Sequence, residues 1–198
     1  MKRIILFFGI AIISLFIMNS CATTTLNSVW MDDAYQEGPF ENILIIGVIE
    51  PQTLRNYFEN ALVRQMKVKG TNAFASNKLF SDETMPNKQA LRSKIKEMNI
   101  DSVLVARLAD VSDINAYMTY PPQFVASGGF YGYYTLCCQN IVSLGYNVKF
   151  ETKIFRAKND NLIWSALSVT DLDRSPENMT ESLIAAIIND LNNRKLLK

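Results

Sequence analysis

The stretch Ile43-Leu44-Ile45-Ile46-Gly47-Val48-Ile49 is apolar at every position and rich in β-branched residues. That is the composition of a strand covered on both faces, so it reads as the central strand of a sheet with further elements packed above and below it. Downstream, Pro51 sits where a first helical turn tolerates a missing N–H. Leu54, Phe58, Ala61, Leu62 and Met66 then recur at helical spacing until Gly70 supplies a stop. Thr71 to Ser76 is a short strand candidate, Leu91, Ile95 and Met98 mark a helix between Asn87 and Asn99, and Asp101 to Val111 carries the apolar run Val103-Leu104-Val105-Ala106. Strand, helix, strand, helix, strand predicts a mixed α/β sheet with parallel pairs and right-handed crossovers.

Beyond residue 140 the pattern changes. Tyr146, Val148, Phe150, Thr152 and Ile154 alternate with Asn147, Lys149, Glu151 and Lys153, which predicts a strand with one face in the core and one in water. Asn159-Asp160-Asn161 is turn chemistry, and Leu162 to Thr170 around Trp164 returns as the second arm of a hairpin. Ser175-Pro176-Glu177 reads as an N-cap, a first-turn proline and an acid matched to the helix dipole, opening a C-terminal helix with Met179, Leu183, Ile187 and Leu191 on its apolar face. The expected architecture is one α/β (α+β) domain over 29–198. Its first half runs strand-helix-strand-helix-strand, followed by a β-hairpin and a C-terminal helix.

Composition narrows the function classes. The chain has 198 residues, 48% of them hydrophobic, which suffices for a packed core and rules out disorder. With 20 Lys+Arg against 19 Asp+Glu, bulk charge gives no reason to expect a nucleic-acid partner. There are no histidines, which excludes Ser-His-Asp, Cys-His and histidine-based zinc chemistry. No phosphate loop or dinucleotide fingerprint is present. The pairs Asp32-Asp33, Asp110 with Asp113, and Asp171 with Asp173 suit turn hydrogen bonding better than a carboxylate dyad or a calcium loop. No catalytic residue, metal site or cofactor is expected, and a carboxylate-dependent hydrolase ranks last among the functional readings.

The N-terminus is more specific. Lys2 and Arg3 precede an apolar run from Ile4 to Ile17. As a helix that run would span roughly 21 Å, short of the ~30 Å hydrocarbon core, so residues 1–20 read as a cleaved export signal. The run ends in Met18-Asn19-Ser20-Cys21, which resembles the lipobox of bacterial lipoproteins: Ser20 matches the small residue before the cysteine, while Met18 and Asn19 depart from the usual leucine and small residue. The resemblance implies acylation of Cys21 (a palmitate-type anchor) and, with Ala22 in place of an aspartate, an outer-membrane location on the periplasmic face. Residues 21–28 are small and polar after the cysteine and read as a tether.

The longer pattern also resembles a family. Trp30, the strand at 43–49, a helix bearing Arg55, Phe58 and Glu59, a Tyr/Pro/Gly-rich insertion, Gly145-Tyr146 and Leu162-Ile163-Trp164-Ser165-Ala166 look like a group of poorly characterised bacterial outer-membrane lipoproteins. That likeness implies a small α/β periplasmic domain serving envelope assembly or regulation, and it carries no catalytic residues. The insertion is the oddest part of the chain. Tyr117 to Tyr134 holds five tyrosines, two phenylalanines, two prolines and three glycines, which predicts a long loop over 117–140. Two readings stand for it: a docking loop that presents Tyr120, Phe124, Phe130, Tyr131, Tyr133 and Tyr134 to a protein partner in the envelope, or a cover folded back over one sheet face. A related reading makes the domain an oligomerising accessory subunit of a transport or assembly complex. Cys137 and Cys138 are adjacent and lack the C-x-x-C spacing of thiol oxidoreductases, which favours an incidental role.

Overall fold

The computed structural model describes residues 24–80, 86–109, 129–137, 147–171 and 175–198. In chain order the elements are β1 (Thr24–Met31), β2 (Asn42–Val48), α1 (Gln52–Val68), β3 (Asn72–Ala75), α2 (Ser76–Leu79), α3 (Lys88–Glu97), β4 (Ser102–Leu108), α4 (Gly129–Cys137), β5 (Asn147–Arg156), β6 (Leu162–Asp171) and α5 (Pro176–Asn193). They form one six-stranded mixed sheet in the order β1-β6-β5-β4-β2-β3. β2 pairs in parallel with both β3 and β4, as crossovers through α1 and α3 require, whereas β4-β5, β5-β6 and β6-β1 are antiparallel.

The apolar run at 43–49 is the reason both sheet faces are covered. Ile43 and Ile45 point into one core with Phe58, Leu62, Met66, Leu183, Ile187 and Leu191 from α1 and α5, while Leu44, Ile46 and Val48 point into a second core with Leu91 and Ile95 from α3. The helix signals act where the sequence puts them. Asn87 Oδ1 accepts from Ala90 N at 2.9 Å, Ser175 Oγ accepts from Asn178 N at 3.3 Å with Pro176 in the first turn, and Gly70 takes a φ of +87° just past the end of α1.

Three expectations are corrected. Thr24 to Ser28, read as tether, are part of β1, which adds an edge strand in antiparallel register with β6 from Thr24↔Thr170 to Met31↔Trp164. The register shift between Leu26 and Ser28 breaks the period-two alternation by which a strand is read. Residues 129–137, read as loop, form α4. And β5 has no solvent face across its middle: Glu151 and Lys153 are both 0% exposed. The last two corrections share one cause, since α4 lies on the polar side of β5.

Candidate functional site: the tyrosine helix and the buried ion cluster

Glu151 and Lys153 are two residues apart on β5 and therefore share a face, and Arg107 sits directly opposite Glu151 on β4. Their charged ends converge. Lys153 Nζ is 2.5 Å from Glu151 Oε1, Arg107 Nη2 is 2.7 Å from Glu151 Oε2, and Arg107 Nε donates to the same Oε2 at 2.7 Å. Tyr133 reaches down from α4 and donates its hydroxyl to Glu151 Oε2 at 2.5 Å while accepting from Arg107 Nε at 2.9 Å. Burial alone would raise the Glu151 pKa, but the charges of Lys153 and Arg107 and the hydrogen bonds from Lys153 and Tyr133 outweigh it and hold the carboxyl below the usual carboxylate range. The carboxylate stays ionised with both oxygens engaged, so it serves as a fixed anchor for α4.

The rings of α4 complete the cover. Phe130, Tyr131, Tyr133 and Tyr134 are all buried in the second core. Phe130 lies 5.9 Å from Phe155, and Tyr133 lies 5.5 Å from the same ring. The Tyr134 hydroxyl donates to the Pro86 carbonyl at 2.7 Å, tying α4 to the start of α3. Cations line the remaining faces: Arg92 lies 4.5 Å from the Tyr131 ring centre, and Lys153 lies 4.2 Å from that of Tyr133. Burial, with Asp160 nearby, pushes the Tyr131 phenol up, so that ring stays neutral. The N-terminus of α4 is seated by Phe130 N donating to Asp160 O at 3.3 Å. A side chain on Gly129, at φ +64°, would come within 2.5 Å of Asp160 Cβ.

A second buried carboxylate lies outside this cluster. β3 is only four residues long, so the β2 edge beyond it is left open. Glu59 of α1 fills the gap: its Oε1 accepts from Gly47 N at 2.8 Å and Ser76 Oγ at 2.7 Å, and its Oε2 accepts from Asn77 N and Asn77 Nδ2, both at 2.8 Å. Burial pushes the Glu59 carboxyl above its ordinary value, against the opposing pull of these donors and of Arg55. A Cβ at Gly47 would meet Arg55 Cγ at 3.2 Å, so the arginine stem would have to give by a few tenths of an ångström.

Of the sequence-derived site residues, then, Phe130, Tyr131, Tyr133 and Tyr134 are brought together as core. Their rings are buried in the second core, the arrangement of a cover folded back over one sheet face. Tyr120, Phe124, Cys21 and Cys138 lie outside the described residues, and Cys137 is the last residue of α4. Asp32 behaves as a turn residue, its Oδ1 accepting from Ala34 N at 3.0 Å. Among the described residues no cluster of three metal-ligating side chains occurs, and no helix is long and apolar enough to cross a membrane.

No family model and no curated protein matches the chain. Among solved structures it is similar to a PelC dodecamer variant from Paraburkholderia phytofirmans, at 10% identity and a TM-score of 0.46, covering 85% of this chain and 98% of that one. A second PelC dodecamer from the same organism matches at 10% identity and a TM-score of 0.45, over 81% of this chain and 94% of that one. The lipoprotein GNA1162 from Neisseria meningitidis matches at 13% identity and a TM-score of 0.40, over 77% and 96%.

Sequence reasoning missed Arg107, Glu151 and Lys153 as a unit. The available signal was Arg107 at the end of an otherwise apolar strand, together with a polar stripe on a strand that follows an aromatic segment with no apolar partner of its own. Aromatic rings that need burial and a strand face that needs a cover answer one another.

Proposed function

We propose that this protein is a lipid-anchored envelope protein without enzymatic activity, held at the periplasmic face of the outer membrane through Cys21 and acting as an interaction module in envelope assembly or regulation. The observation that carries this reading is the basic start, apolar run and Ser20-Cys21 junction, followed almost at once by a folded domain. The commitment of the interior carboxylates supports the non-enzymatic part: Glu151 is locked between two cations and a phenol, and Glu59 accepts four hydrogen bonds, so neither is poised for proton transfer. The test is membrane fractionation of cells producing the wild type and Cys21→Ser, with intact mass on both. The expected result is an acylated, outer-membrane-bound wild type and an unacylated, released variant. Soluble behaviour of both forms would overturn the anchor.

A second reading, an oligomerising accessory subunit, is favoured by β1. This strand pairs with β6 on one side only and leaves its other edge unpaired among the described residues, an invitation to strand addition by another copy. Light scattering on a form starting at Ala22 distinguishes the two: a concentration-dependent mass supports self-assembly, and a strict monomer argues against it.

A further inference from the structure

We infer that the domain stands on the lipid surface by one end of its sheet, the end where β1 starts, β6 ends and α5 begins. The inference rests on acylation of Cys21 and deepens that reading by stating which part of the domain meets the bilayer.

Covalent reach fixes which end this is. Only Ala22 and Thr23 separate Cys21 from β1. Backbone spans at most ~3.6 Å per residue, so the Cys21 Cα lies within roughly 11 Å of that of Thr24. Thr24 supplies no slack. Its N–H donates to Ser182 Oγ at 2.9 Å, its hydroxyl is 2.7 Å from that of Thr170, and it is 5% exposed. Acyl chains on Cys21 therefore hold this corner of the sheet at the headgroups, where the expected tether would have let the domain drift.

Strand pairing tells what else lies at that end. Thr24 pairs with Thr170, Thr170 with Val148, Leu108 with Phe150 and Val48 with Arg107. The hydrogen bond to Ser182 puts that residue level with Thr24. α5 begins seven residues earlier, at its cap Ser175, and a helix rises 1.5 Å per residue, so its opening turns overhang the start of β1 by about 10 Å. That overhang equals the reach of the link. Exposed Ser175, Pro176, Glu177 and Asn178 are thus brought to the headgroup layer by covalent geometry, without any affinity of the helix end for lipid. The β5-β6 turn at Lys158 to Asp160 lies at the other end of the sheet, away from the lipid by the length of β5, about 33 Å.

The experiment uses the full chain with its signal, purified acylated and reconstituted into phosphatidylethanolamine/phosphatidylglycerol vesicles whose lipids carry bromine near the headgroup. A coumarin-bearing amino acid replaces Asn178 in one sample and Lys158 in another. Intact mass reads acylation separately. The expected result is severalfold stronger quenching at 178 than at 158. Inserting a flexible Gly/Ser segment of about 20 residues between Ala22 and Thr23 should abolish that difference while leaving acylation intact. Equal quenching at both positions in acylated protein with the native link, as when a partner holds the domain off the bilayer or the sheet lies flat, overturns the orientation alone. Absence of acyl mass overturns the anchor, and the orientation with it.

Discussion

On the sheet face under α1 and α5 the centre of the core is hydrocarbon: Ile43, Ile45, Leu104 and Trp164 meet Phe58, Leu62, Ile187 and Leu191, and the Trp164 ring N–H finds Asp190 Oδ2 at 2.8 Å. The face under α3 and α4 is apolar only where it meets α3. Where it meets α4 it holds Arg107, Glu151, Lys153 and Tyr133 as one hydrogen-bonded ion cluster. The difference teaches how each cover is specified. A hydrocarbon interface tolerates volume-conserving exchanges, whereas a buried carboxylate with two cations and a phenol is costly to break because a group left unpaired is a buried charge. The large aromatic content of residues 130–134 is thereby explained as packing.

The largest effect should come from replacing Tyr131, Tyr133 and Tyr134 together with Ser. Three buried rings are lost and the second core is opened, so a form starting at Ala22 should lose cooperative unfolding by circular dichroism; a nearly unchanged melting temperature would make the rings surface features. Next is Glu151→Ala, which removes the carboxylate that buried Lys153 and Arg107 share and should cost about 3–5 kcal/mol in urea denaturation. Replacing Arg107, Glu151 and Lys153 together by Met, Leu and Met should cost much less than Glu151→Ala, because no uncompensated charge remains. Ile187→Val on the hydrocarbon face should cost only about 0.5–1.5 kcal/mol.

The two buried carboxylates should also answer pH with opposite signs. Glu151 is held below its ordinary value, so its contribution to stability is complete above the unfolded pKa of about 4.3 and is lost as pH falls through the lower folded value. Glu59 is held above its ordinary value, so its contribution is complete below about 4.3 and is lost as pH rises through the higher folded value. Stability measured against pH should therefore lose part of its acid-side fall in Glu151→Gln and part of its decline toward neutrality in Glu59→Gln. The same profile in both variants would show that the carboxylates do not differ as described.

Much of this fold is legible in the sequence because its signals are local. The run at 43–49, the caps at Asn87 and Ser175, the stop at Gly70 and the Asn159-Asp160-Asn161 turn each act within a few residues, and each lies where the structure uses it. β1 is illegible because its stability comes from pairing with β6, about 140 residues away in the chain, while its own residues carry turn-like and polar character. The α4 cover is illegible for a related reason. Charges alternating along a strand point to water unless something known covers them, and the cover here is a segment whose glycines and prolines suggest a loop. The candidate surface suffers most from this, since large aromatic side chains look alike whether they face a partner or their own core.

The contact between α4 and the sheet is read directly by a double-mutant cycle between Tyr133→Phe and Glu151→Gln, followed by urea denaturation of a form starting at Ala22. If α4 is fastened to the sheet through this hydrogen bond, Tyr133→Phe alone should cost about 1.5–3 kcal/mol, and the two changes should couple by about 1 kcal/mol or more. Additivity within about 0.3 kcal/mol would mean that the two groups do not meet and that the tyrosine helix does not cover the polar face of the sheet.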